Sequence, residues 1–270
     1  MVGAYKFHQP NKGGLLLSVK LKSRVGEINY NSRGSKMEIV EYNSNHNVVI
    51  RFENYKCVCQ YSQFKSGHVF NPYDKSIYGK GYIGEGPYAI SINKGETINR
   101  SYHTWHDMLR RCYAREYQQK NPAYIGCSVC EEWLNFQNFA KWYDENYYEI
   151  DGQIMNIDKD ILVKGNRIYS PETCVFVPSP INSLFVKNDV RRKTTPVGIS
   201  ICTNGDYLAK CSDGTGKDIR LGRFKTYEDA FVVYKANKEI IVKKVAEKFK
   251  SYIPCKLYDT MMNYIVEITD

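Results

Sequence analysis

Two carboxylates flank a lysine at Asp158, Lys159 and Asp160, inside the stretch Asn156-Ile-Asp-Lys-Asp-Ile161. Carboxylate oxygens suit a hard cation such as magnesium, and the side-chain amides of Asn166 and Asn182 could orient them. The same residues fit a structural reading in which Asp158 and Asp160 shape a turn and Asn166 ties a hairpin. A second constellation is made of thiols. Cys127 and Cys130 form a CxxC pair, with Cys112 and Cys174 bordering the same region, so four thiolates could hold a structural zinc. Four buried free cysteines would read the same way. The third constellation is cationic: Lys210, Lys217, Arg220, Arg223 and Lys225 fall on strand-like segments, preceded by Arg191, Arg192 and Lys193. These could meet phosphates and base edges of DNA, or form the solvated face of a small sheet. His103 and His106 lie at i, i+3 beside Trp105, either as a displaced base or as ordinary surface or core residues.

The elements that must position these groups follow from periodicity. Trp105, Met108, Leu109 and Cys112 fall at helical spacing behind a cap at Ser101, and an aromatic stripe of Trp133, Phe136, Phe139, Ala140 and Trp142 predicts a second helix from Glu132. Residues 24–72 alternate apolar and polar positions between turn signals at 31–34 and 43–46, which predicts a small antiparallel sheet or barrel. Four glycines in residues 78–86 predict a glycine-rich connector, either a linker or a tight-turn segment, since glycine adopts backbone angles that other residues resist. Toward the end, three strands are expected at 197–202, 206–212 and 217–224, with Asn204-Gly205 as a hairpin signal. Thr226 and Asp229 then make a capping box ahead of a long helix.

Bulk properties bound the rest. With 270 residues the chain is long enough for more than one domain, and 43% hydrophobic with 25% charged residues is ordinary for a globular protein. The net charge of +9 divides into +7 for residues 1–100, −3 for 101–186 and +5 for 187–270, so a polyanion would be drawn to the flanks. Solubility alone would account for the same balance. Twenty-three tyrosines suit base stacking and wet interfaces, or reflect an AT-rich coding sequence. The first residues hold no apolar core of signal-peptide length, and the run Leu15-Leu16-Leu17 is too short to cross a bilayer, so the expected location is the cytoplasm, without a membrane partner. Nine scattered cysteines point to reduced thiols or metal ligands rather than a disulfide scaffold.

Two resemblances rest on these residues. Trp105-x-x-Met-Leu-Arg-Arg-Cys-Tyr113, Val129-Cys-Glu-Glu-Trp133, Ile157-Asp-Lys-Asp160, Gly165-Asn166, Tyr169-Ser-Pro-Glu-Thr-Cys174 and Asn182 resemble the divergent HNH-type endonucleases common in bacteriophages. Pro196-Val-Gly-Ile199, Tyr207-Leu-Ala-Lys210 and Leu221-Gly-Arg-Phe-Lys-Thr-Tyr-Glu-Asp-Ala230 with a trailing helix resemble the APETALA/ethylene-response-factor (ERF) DNA-binding domain. The first implies a ββα finger in which a histidine base and one divalent metal hydrolyse a phosphodiester; here Lys159, an ammonium at neutral pH, stands near the base position. The second implies a three-stranded sheet lying in the major groove with a helix behind it.

The expectation is therefore an α+β, multidomain protein: a β-rich module at 1–77, a glycine-rich connector at 78–100, a degenerate HNH-like core at 101–186 and an ERF-like unit at 187–270. DNA is the expected partner, with metal-dependent nicking conceivable through Asp158 and Asp160. The rival expectation is a non-catalytic factor on a former nuclease scaffold, binding a host protein such as a bacterial defence complex.

Overall fold

The computed structural model describes residues 23–92, 97–186, 196–213, 215 and 217–268. Helices and mostly antiparallel sheets alternate along the chain, an α+β architecture. The chain divides into two compact units, residues 1–71 and 72–270.

In the first unit, β1 (Ile28–Tyr30), β2 (Lys36–Ser44), β3 (Asn47–Arg51) and β4 (Lys56–Cys59) form one antiparallel sheet in sequential order, followed by α1 (Tyr61–Ser66). The alternation puts Met37 and Ile39 of β2 on the same face as Val48 and Ile50 of β3, and Phe52 and Phe64 close over them. Asn31 makes the first turn, its Oδ1 accepting from the backbone N–H of Arg33 at 3.0 Å and of Ser35 at 2.9 Å.

The second unit is built on an aromatic core between α2 (Arg100–Tyr113) and α4 (Phe136–Asn146). Asn99 rather than Ser101 caps α2, its Oδ1 accepting from the Ser101 N–H at 3.1 Å. Between the helices run α3 (Arg115–Lys120), a short strand β7 (Ser128–Val129) and a 3₁₀ turn, Glu131–Leu134. The helix expected from Glu132 is thus two elements. Asn135 interrupts it because its side chain caps α4 instead, accepting from the Gln137 N–H at 3.0 Å, yet Trp133 is still fully buried.

The glycine-rich segment is not a free connector: Ile77, Tyr78, Tyr82, Ile83 and Tyr88 pack on the aromatic core. Buried Gln137 clamps it, Oε1 accepting from the Tyr88 N–H at 2.9 Å and Nε2 donating to the Tyr88 carbonyl at 3.0 Å. At Gly81 a Cβ would come within 2.5 Å of Leu109 and 2.9 Å of Trp105, so the glycine is required for close approach. Gly81→Ala is expected to cost about 1–3 kcal/mol by overpacking, measurable as a lower denaturant midpoint. An unchanged midpoint would mean that the segment does not hold the core. Beyond it β5 (Ser91–Ile92) pairs antiparallel with β6 (Thr97–Ile98).

Next comes the finger. Strand β8 (Met155–Asp158) pairs antiparallel with β10 (Val175–Pro178), and α5 (Ser179–Phe185) follows directly. Between them β9 (Ile168–Tyr169) pairs in parallel with β7, tying the CxxC segment to the finger loop. Every residue of β10 is buried because the finger has a core on each side. Ile157 and Phe176 face the aromatic core, whereas Val175 and Val177, with Ile181 and Leu184 of α5, join a second core.

The rest of that second core comes from the C-terminal region. Strands β11 (Ile199–Ile201), β12 (Tyr207–Ser212) and β13 (Asp218–Phe224) form an antiparallel sheet, and α6 (Tyr227–Phe249) and α7 (Cys255–Met262) follow. Thr226 caps α6, accepting from the Asp229 N–H at 3.2 Å. Ala230, Phe231 and Tyr234 of α6 cover the sheet, while Val242, Val245, Ala246 and Phe249 of the same helix cover the finger. Buried Lys238 stands between the two, its Nζ donating to the Leu184 carbonyl of α5 at 2.6 Å. The boundary expected at residue 186 therefore runs through shared packing.

Candidate functional site

Asp158 ends β8, and its Oδ1 accepts from the backbone N–H groups of Asp160 at 2.9 Å and Ile161 at 2.8 Å. Lys159 turns inward: its side chain is 11% exposed, with Nζ 3.2 Å from Asp160 Oδ2 and 5.8 Å from the centre of the Tyr169 ring. Asn166 ties the loop, its Nδ2 donating to the carbonyls of Lys159 and Ile168, both at 2.7 Å. Asn182 is half-buried on α5 and makes no side-chain hydrogen bond among the described residues. The structure therefore brings Asp158, Lys159, Asp160 and Asn166 together and does not engage Asn182 with them.

This donor set does not fit a divalent-metal cradle. One Asp158 oxygen is occupied by two backbone amides, and the Asp160 carboxylate is neutralised by Lys159. No three His, Cys, Asp or Glu side chains are gathered in a metal-holding arrangement among the described residues. The four cysteines are distributed as core side chains: Cys112, Cys127 and Cys174 are buried and Cys130 is half-buried. Burial pushes the Cys112 and Cys174 thiols up to about 12 and raises those of Cys127 and Cys130. His106 packs between the rings of Tyr78, at 5.2 Å, and Tyr102, at 6.0 Å; burial lowers its pKa. His103 is exposed and lies 3.9 Å from Asp107. A cavity of about 250 Å³ near the start of β8 is bordered by Arg100, His103, Tyr143, Tyr147 and Phe176.

Burial, with the neighbouring Asp160 carboxylate, pushes the Asp158 carboxyl up to about 6 from an ordinary 3.8. Between those values the folded chain holds a proton that the unfolded chain has released. Stability is therefore expected to fall as pH rises through that window, with the loss complete above about pH 6. Asp158→Asn keeps the Oδ1 acceptor and removes the charge, so it is expected to stabilise the fold by about 1–2 kcal/mol near pH 8 and by little near pH 4. Asp158→Ala is expected to cost about 1–3 kcal/mol, because two amides lose their acceptor. Urea unfolding at both pH values checks this, and a destabilised Asp158→Asn at the higher pH would contradict it.

Lys210, Arg220 and Arg223 are placed on the sheet face opposite α6. Ala209 and Cys211 of β12 are buried toward the helix, so Leu208, Lys210 and Ser212 face outward. Across the β12–β13 ladder, Arg223 lies opposite Leu208, Arg220 opposite Lys210 and Asp218 opposite Ser212. Arg220 and Arg223 are exposed, and neither they nor Lys210 have a carboxylate within ion-pair distance among the described residues. Lys217 is exposed at the hairpin end, and Lys225 is ion-paired with Asp206 at 2.8 Å. Arg191, Arg192 and Lys193 lie outside the described residues.

The chain matches no family model, no curated protein and no solved structure. The residues that the sequence did not single out are Arg111, Tyr124 and Tyr169. Arg111 leaves α2 with its guanidinium carbon 5.8 Å from the Tyr124 ring centre, and it interacts with the Tyr169 hydroxyl. Its signal was present in the Met-Leu-Arg-Arg-Cys motif, where Arg111 directly precedes the buried Cys112 and Arg110 pairs with Asp107 at 3.1 Å.

Proposed function

We propose that the chain is a DNA-binding protein whose three-stranded sheet docks on the duplex, with the finger acting as a scaffold rather than a hydrolase. One observation carries this reading: Lys210 stands directly across from Arg220 on an exposed sheet face that also bears Arg223. Like charges directly opposite on a sheet oppose folding, by roughly 0.2–1 kcal/mol per pair, and a bound polyanion would relieve the repulsion. Arginine adds the planar fork that pairs with guanine or phosphate. The finger supports binding over cleavage because Asp158 closes a turn and half-buried Lys159 lies over the Tyr169 ring.

Duplex binding measured against salt tests the reading. Three phosphate contacts give a logarithmic slope of about −2.7, so affinity is expected to drop roughly 40-fold between about 50 and 200 mM salt. Absence of binding at low salt would overturn it and turn attention to a protein partner.

A further inference from the structure

A half-buried cation beside the finger has no carboxylate partner among the described residues. The Arg111 guanidinium interacts with Tyr169, Tyr124 and Tyr117, its Nε is buried without a hydrogen-bond partner, and no carboxylate pairs with it among the described residues. The adjacent Arg110 also has an unpartnered Nε, but Asp107 balances its charge at 3.1 Å. Lys159 approaches the same Tyr169 ring from the finger turn, and its only ion-pair partner among the described residues is Asp160. Two cations from separate elements thus share one tyrosine, bordered by Asp158 and Asp160, with a single ion pair between them. Placing an uncompensated guanidinium in such surroundings is costly unless an anion completes it. A guanidinium fork beside an ammonium suits tetrahedral phosphate, which accepts several hydrogen bonds at once.

We propose that Arg111 and Lys159 form a subsite for one phosphate group, taken either as free inorganic phosphate or as a phosphodiester of nucleic acid. The subsite is independent of the sheet: a variant lacking Arg220 and Arg223 retains it.

The test is calorimetric titration of the whole chain with inorganic phosphate at constant ionic strength, alongside thermal melting in phosphate and in chloride. Saturable binding at one site is expected, weakened at least tenfold in Arg111→Met and several-fold in Lys159→Gln. Arg111→Met keeps the aliphatic packing and removes the unpaired charge, so its melting temperature in chloride should match or exceed that of the parent. Should that variant fail to fold, Arg111→Lys retains the charge without the fork and is expected to bind several-fold more weakly. Phosphate also stabilises proteins in general by exclusion from their surfaces. An equal melting shift in the parent and in Arg111→Met, with no saturable heat in either, would therefore overturn the proposal. Repeating the titration on DNA-saturated protein identifies the source: a lost signal assigns the subsite to the phosphodiester, and a retained one to the free anion.

Discussion

Replacing Arg220 and Arg223 together with glutamine is expected to weaken duplex binding by roughly ten- to hundredfold at moderate salt and to make the logarithmic salt slope shallower by about two. The expectation follows from the ladder. Both side chains leave β13 on the face away from α6, and neither has a carboxylate within ion-pair distance among the described residues, so each is free to meet a phosphate. Folding should be unaffected within about 0.5 kcal/mol, since both positions are exposed, and relief of the Lys210–Arg220 repulsion acts in the stabilising direction. Lys225→Gln supplies an internal control. Lys225 is already matched by Asp206 at 2.8 Å, so its loss should change affinity by no more than about twofold. Fluorescence anisotropy with a labelled duplex reads all three proteins. Unchanged affinity in a folded double variant would remove the sheet from the binding surface.

The second large effect concerns stability. Trp105→Ala is expected to cost about 3–5 kcal/mol, a large part of the total stability of an ordinary domain. Trp105 is fully buried, its ring contacts Tyr102 and Phe136, and its Nε1 donates to the Trp133 carbonyl at 2.6 Å. Truncation leaves a cavity, strips a buried carbonyl of its donor and removes the surface on which Gly81 rests. A chemical-denaturation midpoint measures the effect, and a loss below about 1 kcal/mol would show that the core relaxes around the gap. Since α2 also carries Arg111, the same variant should loosen the proposed phosphate subsite.

The sequence reported most faithfully where a local signal met no competitor. The Asn204-Gly205 turn, the alternation in residues 207–212 and the Thr226 cap each specify their element through nearby atoms, and the C-terminal sheet and helix appear where expected, although Asp229 returns its carboxylate to the Thr226 hydroxyl rather than to its backbone N–H. Elsewhere a long-range contact decided the outcome. The glycines at 78–86 read as a linker or tight turns because glycine is permissive; Gly79 and Gly84 do take positive φ, but Gly81 is needed for contact with Leu109 and Trp105, which lie far along the chain. The stripe from Trp133 to Trp142 is helical in period, but its Asn135 acts as a cap and divides it. At the finger, Asp158 and Asp160 could be read as ligands or as turn formers; only the direction of Asp158 Oδ1, toward two backbone amides, distinguishes these. Arg111 escaped notice because its meaning depends on which rings surround it, and Tyr124 and Tyr169 belong to elements well removed in sequence.

The way α6 serves two cores bears on how the second unit can be dissected. One end of this helix seals the sheet and the other seals the finger, with Lys238 fastened to α5 between them. A cut after residue 186 would leave Val177, Ile181 and Leu184 facing water on one fragment and Val242, Ala246 and Leu257 facing water on the other. Each piece keeps a core of its own, the aromatic one or the one beneath the sheet, but the second core is divided between them, so the two halves are expected to unfold together rather than serve as interchangeable modules.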